Sequence, residues 1–120
     1  MAKILAVDDS ASMRQMVSFT LAADGHDVVD AIDGKQAFEI AQTESFDLVL
    51  TDVNMPEMNG LELTQKLRGL EQYRFTPILV LTTESSVEKK KEGRSAGATG
   101  WIVKPFNPEQ LLATIKKVLD

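Results

Sequence analysis

FDLVLTD, residues 46–52, is a run of apolar and β-branched side chains that stops on a carboxylate. Residues 46–51 have the length of a strand and are nearly continuously apolar, so they read as a strand covered on both sides. Four more segments read as strands, at residues 3–7, 27–31, 77–81 and 100–103, each short, mostly aliphatic or β-branched and bounded by turn residues. Between them the apolar spacing changes. Met13, Met16, Val17, Thr20 and Leu21 recur at i, i+3, i+4, i+7 and i+8, and Leu111, Leu112, Ile115, Val118 and Leu119 nearly so, which marks one-sided helices. Residues 36–43, 61–70 and 87–96 supply three further helices, the last ended by Gly97. Asn107 and Pro108 read as N-cap and first helical residue, and Ser10 or Ser12 is placed to cap the first helix. The order is (βα)₅: an α/β fold in which a doubly wound, five-stranded parallel sheet carries helices on both faces.

Composition limits what a motif in this frame can mean. A chain of 120 residues buries roughly two-thirds of the surface it exposes when unfolded, and a single domain over residues 1–120 with no output domain is expected. Hydrophobic residues at 43% and charged residues at 26% match an ordinary globular protein. The absence of cysteine removes disulfides and thiolate metal sites and is compatible with a reducing compartment. The apolar run at residues 1–7 is too short for a signal peptide or a membrane span, so a cytoplasmic protein without membrane insertion is expected. A formal charge of −5 opposes binding to nucleic acid, whose phosphates are held by basic side chains that displace counterions. Protein partners are the better expectation.

In open parallel sheets ligands bind beyond the carboxyl ends of the strands, where strand order reverses. Asp8 and Asp9 follow the first strand, Asp52 the third, Thr82 and Thr83 the fourth and Lys104 the fifth, so the polar side chains fall along one edge. Three carboxylates brought together raise the proton affinity of at least one of them unless a cation neutralises them. A hard divalent ion is implied, and Mg²⁺, which takes one or two carboxylates and keeps several waters, suits the set, with Mn²⁺ as a substitute. Lys104 adds a fixed positive charge and Thr82 a hydroxyl donor. Such a pocket fits an anion of spread charge, as in phosphoryl transfer, where positioning and electrostatics do most of the work. A carboxylate is the natural acceptor.

VDDS at 7–10, DVNMPEMNG at 52–60, LTTE at 81–84 and AGATGWIVKPF at 96–106 together resemble the receiver domain of bacterial two-component response regulators. The resemblance runs over the whole chain and is greatest to the stand-alone chemotaxis regulators of the CheY type. It implies a flavodoxin-like sheet of order 2-1-3-4-5 and a switch thrown by phosphorylation. By resemblance, Asp52 is the phosphoacceptor, and Asp9, Asp52 and the backbone carbonyl of Asn54 bind Mg²⁺, with Asp8 acting through a metal-bound water. Thr82 hydrogen-bonds one phosphoryl oxygen and Lys104 pairs with another, while Asn54 and Glu84 tune the approach of hydrolytic water. The peptide bond from Lys104 to Pro105 is expected to be cis. The partners implied are a histidine kinase of the CheA type, the flagellar motor switch or another protein target, and a phosphatase, with the regulator itself a monomer. The protein would catalyse its own Mg²⁺-dependent phosphorylation and dephosphorylation while serving mainly as a switch. Within the family the alternatives are a phosphorelay intermediate, a phosphate sink or a regulator of non-flagellar motility.

Trp101 departs from the family pattern, which usually has tyrosine or phenylalanine there, a ring that turns inward when the threonine shifts toward the phosphoryl group. Indole is larger and brings an N–H to satisfy. Its inward position would overpack the site, at roughly 1–3 kcal/mol; the plainer expectation is a half-buried aromatic on an edge strand. His26 is expected to be an exposed turn residue without a partner. Residues 89–91 form a basic run on a helix with few apolar anchors, read as a solvated face or as an easily moved switch surface. Met13, Met16, Met55 and Met58 read as packing, Met55 at the rim of the site. Other functions fit less well. A calcium loop begun at Asp52 has Glu57 where the sharp-turn glycine belongs and Leu63 where a bidentate acid belongs. A flavin module would have a phosphate loop in place of Asp8 and Asp9, and an aspartate-nucleophile phosphatase places its nucleophile after the first strand.

Overall fold

Among the residues described by the computed structural model, 2–82, 87–104 and 106–119, five strands alternate with five helices. Strands β1 (Lys3–Val7), β2 (Asp27–Ala31), β3 (Leu48–Asp52), β4 (Ile78–Thr82) and β5 (Gly100–Val103) form one parallel sheet of order β2-β1-β3-β4-β5, the flavodoxin-like order expected. Helices α1 (Ala11–Ala23) and α5 (Pro108–Leu119) cover one face, where Val17, Leu21, Leu111 and Ile115 pack on Ile4, Leu50 and Leu79. On the other, α2 (Gly34–Thr43) and α3 (Gly60–Arg68) pack on Leu5, Val49 and Ile78, and α4 (Val87–Ala96) lies beside α3. Burial on both faces holds fully for β3 and β4 and nearly so for β1. The edge strand β2 instead exposes Asp27 and Asp30.

The strand ends shift in a way that matters for the site. Asp52 and Thr82 are the last residues of β3 and β4 rather than the first beyond them, because Asp52 still pairs with Leu81 and Thr82 with Val103. Helix starts also differ where a polar cap, not an apolar face, sets them. Asp33 accepts from the Gln36 N–H at 2.8 Å and starts α2 early. Asn59 forms a capping box with Glu62 at the head of α3. Ser10 caps α1, Asn107 caps α5, and Gly97 follows α4 at φ +103, as expected. A 3₁₀ turn at Glu71–Tyr73 was not foreseen.

Arg68, at the end of α3, ties two connections together, the one from α3 to β4 and the one from α4 to β5. Its guanidinium donates to the carbonyls of Gly97 at 2.9 Å, Tyr73 at 2.7 Å and Thr76 at 2.6 Å, and to Thr99 Oγ1 at 3.2 Å. Two expectations fail. His26 is not an exposed, solitary turn residue: its side chain is 11% exposed, Nδ1 accepts from the Ala2 N–H at 3.1 Å, and Nε2 lies 3.5 Å from the Asp24 carboxylate. Met16 is 40% exposed beside Phe19 at 77%, because α1 turns Val17 and Leu21 inward; Met13, Met55 and Met58 do pack.

Candidate functional site

Strand order reverses between β1 and β3, which are neighbours in space with β2 on the far side of β1. Val7 pairs with Thr51, so the residues that follow, Asp8 and Asp52, stand side by side at the switch point. Both are buried, at 3% and 6% exposure, whereas Asp9 faces solvent. One carboxylate oxygen from each of the three lies within 4.8 Å of the others. Lys104 reaches the group from beyond β5, where its N–H donates to the Thr82 carbonyl at 2.7 Å and fixes the turn. Its ammonium lies 3.0 Å from Asp52 Oδ1 and 3.7 Å from Asp8 Oδ2. Asp52 Oδ1 also accepts the Val53 N–H at 3.0 Å. Thr82 is buried at the end of β4, beside the acceptor strand.

Asp8 is the strained member. Its Oδ1 accepts the Ser10 N–H at 2.9 Å, and Arg14 Nη1 donates to its main-chain carbonyl at 2.9 Å. Its Oδ2 is buried without a hydrogen-bond partner among the described residues. Burial holds the Asp8 carboxyl above its ordinary range; Asp52 and Asp9 push the same way, and the Ser10 N–H and Lys104 oppose them. One lysine does not neutralise three carboxylates. An unsatisfied buried carboxylate oxygen, on one of three acids that gather within 4.8 Å, fits a divalent cation of the Mg²⁺ kind.

The loop after β3 is held against the site by backbone geometry. The Gly60 N–H donates to the Val53 carbonyl at 2.9 Å, and a Cβ at Gly60 would collide with the Asp52 carbonyl, so only glycine lets α3 start this close to the acceptor. Glu57 adopts φ 65, inside a tight turn closed by the Met58 N–H on the Pro56 carbonyl at 2.8 Å. Met55 is buried in the core on the α2 and α3 side. Asn54 is exposed, two residues beyond Asp52. Trp101 is half-buried on the edge strand β5, paired with Val80. Glu84 and Pro105 lie outside the described residues. The roles of Arg14 and Gly60 were missed; Gly60 stood inside the 52–60 motif, but nothing in its spacing marked the contact. A cavity of about 800 Å³ between Ala2, His26, Asp47, Pro77 and Lys116 takes in none of these acids.

Residues 4–116 match the response regulator receiver domain. The chain belongs to the response regulator receiver family. This receiver is 41% identical over 119 residues to a chemotaxis protein CheY homolog of Campylobacter jejuni, covering 98% of this chain and 92% of that one. Among solved structures it is similar to chemotaxis protein CheY4 of Vibrio cholerae, at 58% identity, TM-score 0.96 and 98% coverage of each chain. It is also similar to the receiver domain of a Pseudomonas aeruginosa sensor histidine kinase that has a magnesium ion coordinated in its active-site cleft, at 26% identity, TM-score 0.91 and coverage of 98% and 97%. The protein is a phosphorylation-activated response regulator of the chemotaxis type. No helix among the described residues is long and apolar enough to cross a membrane.

Proposed function

We propose that Asp52 accepts a phosphoryl group from a phosphohistidine on a partner kinase, and that the acyl phosphate so formed switches the affinity of this receiver for a protein target. The observation that carries the reading is the Lys104 ammonium 3.0 Å from Asp52 Oδ1, beside the three gathered carboxylates of Asp8, Asp9 and Asp52. A carboxylate oxygen of Asp52 attacks phosphorus; the P–O bond forms as the P–N bond breaks, and the imidazole nitrogen leaves with the bonding pair. Lys104 follows the charge from the free carboxylate to a phosphoryl oxygen, and the Thr82 hydroxyl donates to another. Asp9, Asp52 and the Asn54 carbonyl would hold Mg²⁺, with Asp8 acting through a metal-bound water, and the ion would neutralise the acids and the incoming phosphoryl oxygens. Arg14 and the Ser10 N–H keep Asp8 in place for that task. Asn54 and Glu84 meet the water that later hydrolyses the acyl phosphate.

The chemotaxis relatives support a kinase of the CheA type as donor, a flagellar motor switch protein as target, and a cytoplasmic setting. The test is Asp52→Asn with a small radiolabelled phosphodonor such as acetyl phosphate. Label should enter the wild-type chain in the presence of Mg²⁺ and fall to background in the variant. Label retained by a folded Asp52→Asn protein would place the acceptor elsewhere.

A further inference from the structure

Gly93 has no backbone reason to be glycine. It lies inside α4, and the glycines with positive φ are Gly25 and Gly97. Alanine there would favour the helix by about fivefold in its folding equilibrium. What stands in the way is Trp101: a Cβ at 93 would lie 2.6 Å from indole Cζ3 and 2.9 Å from Cε3, well inside the contact distance of two carbons. The ring therefore lies on the bare backbone of the helix. Among the α4 side chains described, Lys91, Glu92, Arg94 and Ser95 are exposed, and only Gly93 and Ala96 are buried. The described contact face of α4 thus carries no large apolar group of its own, and the indole from β5 supplies the bulk that packs there. The C-terminal end of α4 is held separately, through the Arg68 bond to the Gly97 carbonyl.

From this geometry we infer that Gly93 is the seat of Trp101, a positioning residue that joins the indole to α4 so that ring and helix shift as one unit. The large ring at 101 is thereby matched by a missing side chain at 93. Trp101 pairs with Val80, two residues before Thr82, so a movement at the end of β4 reaches the indole through one ladder contact and reaches α4 through the seat. A pocket of about 280 Å³ beside the ring, bordered by Arg94, Ala98 and Val103, gives a displaced indole somewhere to go without unfolding the domain. The signalling half of this inference rests on the proposal that Asp52 is the loaded residue; the seat itself does not.

Trp101 is the only tryptophan, so its emission reads the seat directly. In the full chain, Gly93→Ala should shift the emission to the red and raise quenching by acrylamide before any ligand is added. It should also fail to gain the fivefold stability that helix preference predicts. In a Trp101→Val background the same Gly93→Ala change should recover that gain, measured by urea denaturation. With Mg²⁺ and beryllofluoride as the phosphoryl mimic, the wild-type emission should change, and the change should fall by at least half in Gly93→Ala at saturating mimic. Equal stabilisation by alanine in both backgrounds with an unaltered emission would overturn the seat. A normal mimic response in a Gly93→Ala protein whose ring is already displaced would overturn the coupling. If the wild-type emission ignores bound mimic while the stability cycle shows the seat, the ring-to-acceptor link is what fails.

Discussion

Tyr73, the only tyrosine, sits in the 3₁₀ turn at 1% exposure, its hydroxyl 2.7 Å from the Ala41 carbonyl and 2.6 Å from that of Glu44. Burial holds the phenol above its ordinary range; the Glu44 charge acts the same way, and a backbone bond at Phe46 opposes them. A phenol that ionises later in the folded chain than in the unfolded one contributes stability that is complete below about pH 10, the free phenol value. That stability is lost as pH rises through the folded value. The phenolate absorbance should therefore appear late and together with the loss of helical circular dichroism. Tyr73→Phe should remove this alkaline transition and cost about 1 kcal/mol at neutral pH, since two carbonyls share one lost donor. Phenolate formed in the range of free tyrosine with helicity intact would refute it. At this scale the acids and Lys104 were legible because a charged residue directly after a buried strand has one edge to occupy. Tyr73 and His26 were not, because their partners are main-chain groups up to 32 and 24 residues away, which no spacing encodes.

The elements were legible in type and order because apolar periodicity separates buried strands from one-sided helices. Their ends were less so, since Asp33 and Asn59 set helix starts by accepting backbone N–H groups on a side that the apolar pattern does not report. What joins the elements was invisible. Arg68 spends its donors on four neutral oxygens drawn from the connection that follows α3 and from the one between α4 and β5. A lysine at 68 offers a compact ammonium in place of a planar fork and cannot span them. Arg68→Lys should lose at least two of the bonds and lower stability by about 2 kcal/mol, seen as a lower urea midpoint with an unchanged slope and as faster amide exchange at Ile78 and Thr99. A loss under about 0.5 kcal/mol, the range of an ordinary surface substitution, would show that the staple carries little.

At the scale of the whole molecule, the sheet brings Asp8 and Asp52 together across 44 residues of chain, and the fold retains that acidity without a matching number of cations in the pocket among the described residues. The raised Asp8 carboxyl and its unsatisfied Oδ2 mean that the charged pocket works against folding at neutral pH. A divalent cation that meets the three acids only when folded shifts the equilibrium by mass action, by about 2.7 kcal/mol at a hundredfold excess over its dissociation constant. For a domain of this size that is about 10 °C in Tm. Titrating Mg²⁺ should thus raise Tm along a curve that follows site occupancy. Sodium chloride at the same ionic strength should give only the smaller rise that screening allows for a chain of charge −5. Asp9 is the acid to remove as a control, because it is exposed and its loss leaves the buried pair and the core untouched. Asp9→Asn should keep the metal-free Tm near that of the wild type while flattening the Mg²⁺ curve. If sodium reproduced the full rise, or Asp9→Asn left the curve unchanged, the three acids would be a cluster of repelling charges and not a cation site.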